Sequence, residues 1–284
     1  MPAFAPLSHI NRSPMPLNAQ IGSRLLCLFL GLFPLSALAN TLISSDYYLE
    51  YELPKSLQDQ CYENNNCPDI DVKYIKTNQD WINNIVNRRI NNIVINSKPS
   101  ESEPSKSDDD KTTQTALDDF AKSQFIEVPD DRPWSYQLLV TPNYMGHVTL
   151  GQRQDFELFE IDAYVFTGGA HGMPYSEYLI FDPSHKTQIS LDDMLISGKK
   201  SKFAALAYDA YKTWVRTIDE DVSSYEQNWP FTLSDNVTLT DRGVDIRYQH
   251  YSISPYAYGM PVLSIPYSKL IGVIKARFMP TILK

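Results

Sequence analysis

The residues whose types could most readily take part in chemistry lie in one stretch, residues 164–172, where an apolar run ends among glycines that surround a single histidine. Adjacent glycines allow positive φ or close backbone approach, so Gly168 and Gly169 predict a tight turn at the end of a strand. The residues that define this turn motif are Thr167, Gly168, Gly169, His171 and Gly172. A histidine at the mouth of such a turn has the right pKa for a general base, and its glycine neighbours would admit a substrate.

Catalysis by His171 would need a companion group. The sequence contains no G-x-S-x-G, and neither exported cysteine is expected to be free. His147, His185 and His250 lack the spacing of metal ligands. We therefore interpret His171 as a brace that hydrogen-bonds across the turn, and we predict no catalytic residue, metal or cofactor. A hydrolase of the cell wall with His171 as its base stays open as an alternative.

A second informative stretch is the loop of residues 251–261, which holds tyrosines, prolines and a glycine. Such a loop is rigid and aromatic, and it can contact a partner at low entropic cost. We predict partner contacts at Pro255, Tyr256, Tyr258 and Gly259. The alternative is that these tyrosines pack on the sheet. The 18 tyrosines and four tryptophans could also supply stacking platforms for a glycan.

These stretches must be positioned by strands and helices that are interspersed without a strict βαβ period, which indicates an α+β fold with mixed or antiparallel sheets and packed helices. We predict two small subdomains, residues 40–152 and 153–284. The polar run of residues 96–111 predicts a disordered surface loop. A turn is predicted at Pro142 and Asn143, and a final helix from Ser268 through Phe278.

The first 39 residues predict a secretory signal peptide. Arg12 and Arg24 precede or enter a short apolar run that ends in Ala37-Leu38-Ala39, and cleavage is expected between Ala39 and Asn40. The run falls short of the roughly 20 residues that a membrane-spanning helix needs. Because the segment before the run is long, Met15 is an alternative start to Met1. The protein is therefore expected in the periplasm or outside the cell, without a membrane span after cleavage.

Export and charge bear on cysteine pairing and on partners. Cys61 and Cys67 lie close together in a chain bound for an oxidising compartment, so we predict a local disulfide. The whole chain has 25 basic and 34 acidic side chains, a net charge of −9. Such a surface disfavours nucleic acid and favours a cationic partner through long-range steering. Solubility alone is the alternative explanation of the acidity.

Five pieces, in order, resemble the RsiV-like extracytoplasmic domain over residues 155–284: residues 164–172, Phe181 with Asp182, residues 189–194, residues 254–259 and residues 265–270. The resemblance implies an α+β ectodomain that occurs in an anti-sigma factor that binds lysozyme, and beside polysaccharide deacetylase domains in wall enzymes. Many members have no assigned function. His185 departs from a pattern that often has glycine there.

Together these features predict an exported, non-catalytic binding protein. Its expected partner is lysozyme or another cationic protein that acts on the cell wall, which it would sense or inhibit. A peptidoglycan-binding or other glycan-binding module is the remaining alternative.

Overall fold

The computed structural model describes residues 41–97, 109–127, 134–151 and 154–281. Residues 42–284 form one compact unit. The predicted signal peptide and most of the predicted loop 96–111 lie outside the described residues. Of that loop, Asn96 ends a helix and Asp110 begins the next one, where the Asp109 carboxylate accepts a hydrogen bond from the backbone N–H of Thr112 at 2.7 Å.

The described residues form seven α-helices, nine strands and two short 3₁₀ turns, which confirms the predicted α+β class. The helices are α1 Lys55–Asn64, α2 Asp80–Ile95, α3 Asp110–Glu127, α4 Leu191–Met194, α5 Lys200–Val215, α6 Val222–Asn228 and α7 Tyr267–Leu270. The strands are β1 Ser44–Tyr48, β2 Asp69–Thr77, β3 Gln137–Leu150, β4 Gln154–Phe166, β5 Met173–Asp182, β6 Thr187–Ile189, β7 Val237–Leu239, β8 Gly243–Arg247 and β9 Val262–Pro266.

The strands form two sheets. Six lie in the order β1-β2-β3-β4-β5-β6, in which only the β2 and β3 pair is parallel. The other three form an antiparallel sheet in the order β7-β8-β9. The predicted division into residues 40–152 and 153–284 stays a prediction.

Two hydrophobic clusters lie on opposite faces of the large sheet, because successive side chains of β4 alternate in direction. Phe159 and Ile161 face α2 and α3. Phe156 and Leu158 face α5 and the three-stranded sheet. The cores of both clusters are fully buried, and Phe159 and Phe156 are each 0% exposed.

Two local predictions are wrong in their extent. Pro142 does not form a turn, because it lies inside β3 opposite Ile161. β2 pairs with β3 only as far as Val140, so the proline, which has no N–H, occupies a part of β3 with one open edge. The final helix is also shorter than predicted: α7 ends at Leu270, and Gly272 follows with a φ of 71°.

The Cys61 and Cys67 disulfide is present, with the two Cα atoms 4.6 Å apart. Cys61 lies near the end of α1, so the bridge ties the last turn of a helix to the start of β2 rather than closing a wholly irregular loop.

The two sheets are joined at the free edge of β5 by side-chain amides. β6 covers β5 only at Ile180–Asp182. Nearer the start of β5, the Ser176 N–H donates to Gln249 Oε1 at 3.2 Å, and Gln249 Nε2 donates back to the Ser176 carbonyl at 2.6 Å. Asn236 does the same one step on, accepting from the Tyr178 N–H at 2.8 Å and donating to the Ser176 carbonyl at 2.8 Å. The two amides therefore take the place of a neighbouring strand.

A buried carboxylate holds the turn between β5 and β6. Asp182 is 0% exposed and accepts hydrogen bonds from Gln154, Ser184, His185 and Arg277. His185 Nδ1 lies 2.6 Å from Asp182 Oδ2, so His185 helps to hold the turn. The positive φ of the turn, 52°, falls on the next residue, Lys186.

Burial alone would raise the pKa of Asp182, but the hydrogen bonds from Ser184, His185, Arg277 and Gln154 outweigh it and lower that pKa to about 2. A carboxylate whose pKa is lower in the folded than in the unfolded chain stabilises the fold above its unfolded pKa. That contribution is lost as the pH falls through the folded pKa.

We expect the free energy of unfolding to fall by about 2 kcal/mol between about pH 4 and pH 2 through this one residue. The variant Asp182→Asn should be destabilised at neutral pH and lose this part of the acid dependence, measured by urea unfolding across that pH range. The exposed Asp59→Asn variant is the matched control and should keep the wild-type profile. An unchanged profile in Asp182→Asn would contradict the assignment.

Candidate functional site

The glycine-rich turn connects β4 to β5 at one end of the large sheet. β4 ends at Phe166, and the pairing of Val165 with Met173 closes the hairpin around it. Gly168 and Gly169 have φ values of 96° and 92°, which only glycine adopts without strain. The turn therefore needs both glycines. It places the exposed His171 at this end of the sheet.

The loop after β8 returns to this turn and places Tyr256 between two histidines. The Tyr256 ring stacks on the His171 ring with centroids 3.7 Å apart and planes 19° from parallel. The His250 ring also stacks on Tyr256, at 4.4 Å and 26°. The Tyr256 hydroxyl donates to the Gly172 carbonyl at 3.0 Å. We call His171, His250, Tyr251 and Tyr256 the aromatic cluster.

Both nitrogens of His171 have partners. Nδ1 lies 3.0 Å from the Gly172 carbonyl, and Nε2 lies 3.2 Å from the Tyr251 hydroxyl. A carbonyl can only accept, so Nδ1 carries the proton, and in the neutral ring Nε2 accepts from Tyr251. Neither contact crosses the turn, because Gly172 is the next residue and Tyr251 belongs to the loop after β8. His171 thus ties the end of the turn to that loop, and its role as a brace across the turn stays a prediction.

The predicted contact residues fall into two groups. Tyr256 is partly buried in the aromatic cluster, whereas Tyr258 is 46% exposed and packs edge-on against Trp214 at 6.3 Å. Pro255 precedes the 3₁₀ turn Tyr256–Tyr258, and Gly259 ends it with a φ of 70°. The structure therefore brings Tyr256 to His171 and directs Tyr258 to the neighbouring surface.

His250 and Tyr251 were not predicted as site residues from the sequence. Tyr251 is 46% exposed, has a φ of 63° and stacks on Trp229 at 6.5 Å. The positive φ is unusual for a bulky residue and turns this ring toward His171. The sequence offered one signal for these two residues, their position directly after Gln249. The role of Gln249 itself depends on tertiary contacts, so this signal could not be recognised from the sequence.

A pocket of about 510 Å³ adjoins the cluster, and His250 forms part of its wall. Its lining is mostly apolar and includes Ile93, Val165 and Met173. Arg89 and Glu177 also line it and form an ion pair at 3.0 Å. The pocket lies where the end of α2 meets the beginning of β5.

Two ionisable groups of this region have shifted pKa values. Burial lowers the pKa of His250, and the charge of His171 lowers it further, against a smaller opposing effect of the Tyr256 backbone. Burial also raises the pKa of Tyr175, beside the pocket, to about 12, with a further contribution from the Glu177 carboxylate. His250 is therefore favoured in its neutral form, which suits a ring stacked against another aromatic ring.

No helix in the described part of the chain has the length and apolar character needed to cross a membrane. Nor do the described residues contain a group of three or more histidine, cysteine, aspartate or glutamate side chains arranged to hold a metal ion.

Comparison with known proteins gives a family match over part of this region. Residues 192–268 match DUF3298, a family described as a protein of unknown function. The match lies within the predicted C-terminal domain, and it includes His250, Tyr251 and Tyr256. No protein with a curated description matches the chain.

Two solved structures share the fold. A DUF3298 family protein from Pseudomonas aeruginosa PAO1 is 25% identical, with a TM-score of 0.56 over 84% of this chain and 95% of that chain. A member of the same family from Bacteroides fragilis is 14% identical, with a TM-score of 0.56 over 83% and 94%. The likeness therefore extends well beyond the matched residues 192–268.

The contact between His171 and Tyr256 can be measured by a double-mutant cycle. We expect His171→Ala and Tyr256→Ala to be coupled by about 1 kcal/mol in the free energy of unfolding, the range of stacked aromatic pairs. The pair His171→Ala and Tyr258→Ala is the control and should show coupling close to zero, because Tyr258 packs on Trp214 instead. Equal coupling in both cycles would contradict the arrangement.

Proposed function

We propose that this protein is an exported, non-catalytic binding domain whose aromatic cluster, together with Tyr258, contacts a cationic protein of the cell wall such as lysozyme. The observation that carries the proposal is the stacking of Tyr256 between His171 and His250. It joins the glycine-rich turn and the tyrosine loop into one surface. The same two stretches carry the resemblance to the RsiV-like ectodomain.

The exposed rings of this surface suit a protein partner. Tyr251 and Tyr258 are each 46% exposed, and each is backed by a tryptophan, Trp229 and Trp214 respectively. Rings held in place by packing lose little entropy on binding, and tyrosine is enriched among residues that dominate interface energies. Tyr256 then acts as the internal support of the surface rather than as its main contact.

Charge supports a cationic partner. Loss of a signal peptide that carries Arg12 and Arg24 would leave 23 basic and 34 acidic side chains, a net charge of −11. A strongly negative protein attracts cationic proteins over distances of about a Debye length, about 10 Å at 0.1 M salt. Association with such a partner should therefore weaken as salt increases.

The alternative in which His171 is a general base has less support. Both of its ring nitrogens already have hydrogen-bond partners, Gly172 and Tyr251. A base must be free to take a proton from the substrate, so Tyr251 would first have to move.

A glycan-binding module has one observation in its favour, the pocket beside His250. Planar polar side chains such as Arg89 and Glu177 in a mostly apolar pocket can orient a sugar ring, and Tyr175, which also lines the pocket, is 37% exposed. Sedimentation with purified peptidoglycan separates this function from the first, because Tyr175→Ala should reduce glycan binding and leave protein binding intact.

The proposal predicts retention of lysozyme at low salt. We expect Tyr251→Ala and Tyr258→Ala each to weaken binding of hen-type or invertebrate-type lysozyme by about tenfold or more, as for interface hot spots. The matched control is Tyr62→Ala, a tyrosine on α1 that is 74% exposed. Absence of binding by the unaltered protein to either class of lysozyme at low salt would refute the proposed partner.

Export is proposed as well, on the basis of residues 1–39. Expression of the full chain in a bacterial host should yield an exported protein whose first residue is Asn40, identified by mass spectrometry. Ala39→Lys should block cleavage and leave a longer product. Loss of all expression in Met15→Leu would place the start at Met15, and an uncleaved product from the unaltered chain would contradict the predicted signal peptide.

A further inference from the structure

The three-stranded sheet has an unpaired edge. β9 pairs with β8 on one side, and no other described strand pairs with it. The Tyr267 N–H donates to the Arg242 carbonyl, and the Tyr248 N–H donates to the Pro261 carbonyl, so the odd-numbered residues of β9 direct their backbone groups toward β8. Backbone groups alternate in direction along an antiparallel strand. The N–H and C=O groups of Val262 and Ser264 therefore point to the unpaired edge.

A groove of about 300 Å³ runs between this edge and α5. Its α5 wall carries Leu206, Ala210 and Trp214, which repeat at helical spacing beside the fully buried stripe of the same helix. Val262 is 37% exposed on the strand side. The groove thus has backbone hydrogen-bonding groups along one wall and, along the other, apolar side chains together with Thr213 and Thr217.

We propose that this groove binds an extended segment of a partner polypeptide, which adds to β9 as a fourth strand. An unpaired strand edge beside a helix supplies what strand addition needs: the edge bonds the backbone, and the groove accepts alternate side chains. Segment residues opposite Leu263 and Ile265 would face α5, so they should be apolar. Segment residues opposite Val262 and Ser264 would face solvent, so they should be polar.

Charge on the sheet indicates where a basic residue fits. Asp245 lies directly opposite Ser264 in β8, and side chains of paired residues project from the same face. A lysine or arginine of the segment beside Ser264 would lie two strands from this carboxylate. Lys269 also lines the groove, and a second cation beside it is disfavoured.

The inference rests on the proposed function, since Trp214 connects the two surfaces. Its ring lines the groove and also supports Tyr258 from the proposed contact surface. A partner held by Tyr258 would therefore have its adjoining segment at the mouth of the groove. This continuity favours a segment of the same partner protein as the occupant.

The test uses amide hydrogen exchange of the full protein, followed by NMR, with a synthetic peptide in which valine alternates with threonine and one lysine. The peptide should slow exchange at Val262 and Ser264 by about tenfold or more, because their N–H groups become hydrogen-bonded. A peptide of the same composition with its valines consecutive, and an analogue methylated on the backbone nitrogens that face β9, should slow it much less. Binding of the first peptide without slower exchange at these two amides would overturn the inference, as would failure to bind.

Matched variants on α5 locate the groove. Ala210→Phe fills it and should weaken the peptide about tenfold or more, whereas Ala205→Phe, on the exposed face of the same helix, should bind normally. The same exchange measurement with lysozyme separates the two proposals. If lysozyme binds through Tyr251 and Tyr258 and no probe protects the β9 edge, the edge inference falls and the proposed function stands. If the peptide protects the edge and lysozyme does not bind, the cationic partner falls and the edge site stands.

Discussion

Two side-chain amides take the place of a strand at the free edge of β5, and the position of the aromatic cluster depends on them. Gln249 bonds both backbone groups of Ser176, and Asn236 bonds the Ser176 carbonyl and the Tyr178 N–H. The next residue after Gln249 is His250, and Tyr251 follows. Anchoring Gln249 therefore fixes where these two rings can lie relative to His171, which precedes Ser176 by five residues.

The same edge shows why the two sheets keep one relative position. Arg247, the last residue of β8, pairs with Glu160 at 2.8 Å and lies over the Tyr178 ring at 4.7 Å. Its guanidinium thus meets a carboxylate from β4 and an aromatic face from β5. Because both partners are themselves largely buried, this contact resists salt more than a surface ion pair would.

The interspersed helix and strand signals were enough to predict the α+β class. The stripe Phe203, Ala207 and Tyr211 in α5 is fully buried, and the alternating residues of β4 divide between two cores. Sequence signals failed where a tertiary contact decides the outcome. Pro142 predicts a turn in isolation, yet it is accommodated in β3 because β2 ends before it. The helix predicted from Ser268 stops after one turn at Leu270, and Gly272 follows with a φ of 71°.

The candidate site was predictable in part for the same reason. Glycines that need positive φ and a loop rich in tyrosine can be read from residue types, and both stretches contribute to the surface. The path of the loop in space decides which tyrosine supports the aromatic cluster from inside and which tyrosine is exposed to solvent. Tyr256 lies between two histidines. Tyr251 lies at the surface with a positive φ, which the type of this residue does not predict.

The stacking of His171 on Tyr256 also has a consequence for folding. The hydroxyl contacts of the cluster join residues 80 and 84 positions apart in the sequence. Contacts of such high sequence separation form only after the intervening chain has been ordered, since closing a long loop early carries an entropic penalty without compensation. A nascent or truncated chain that lacks the second sheet would have the glycine turn but no assembled surface. The aromatic cluster is therefore assembled late, and its assembly requires both sheets to be complete.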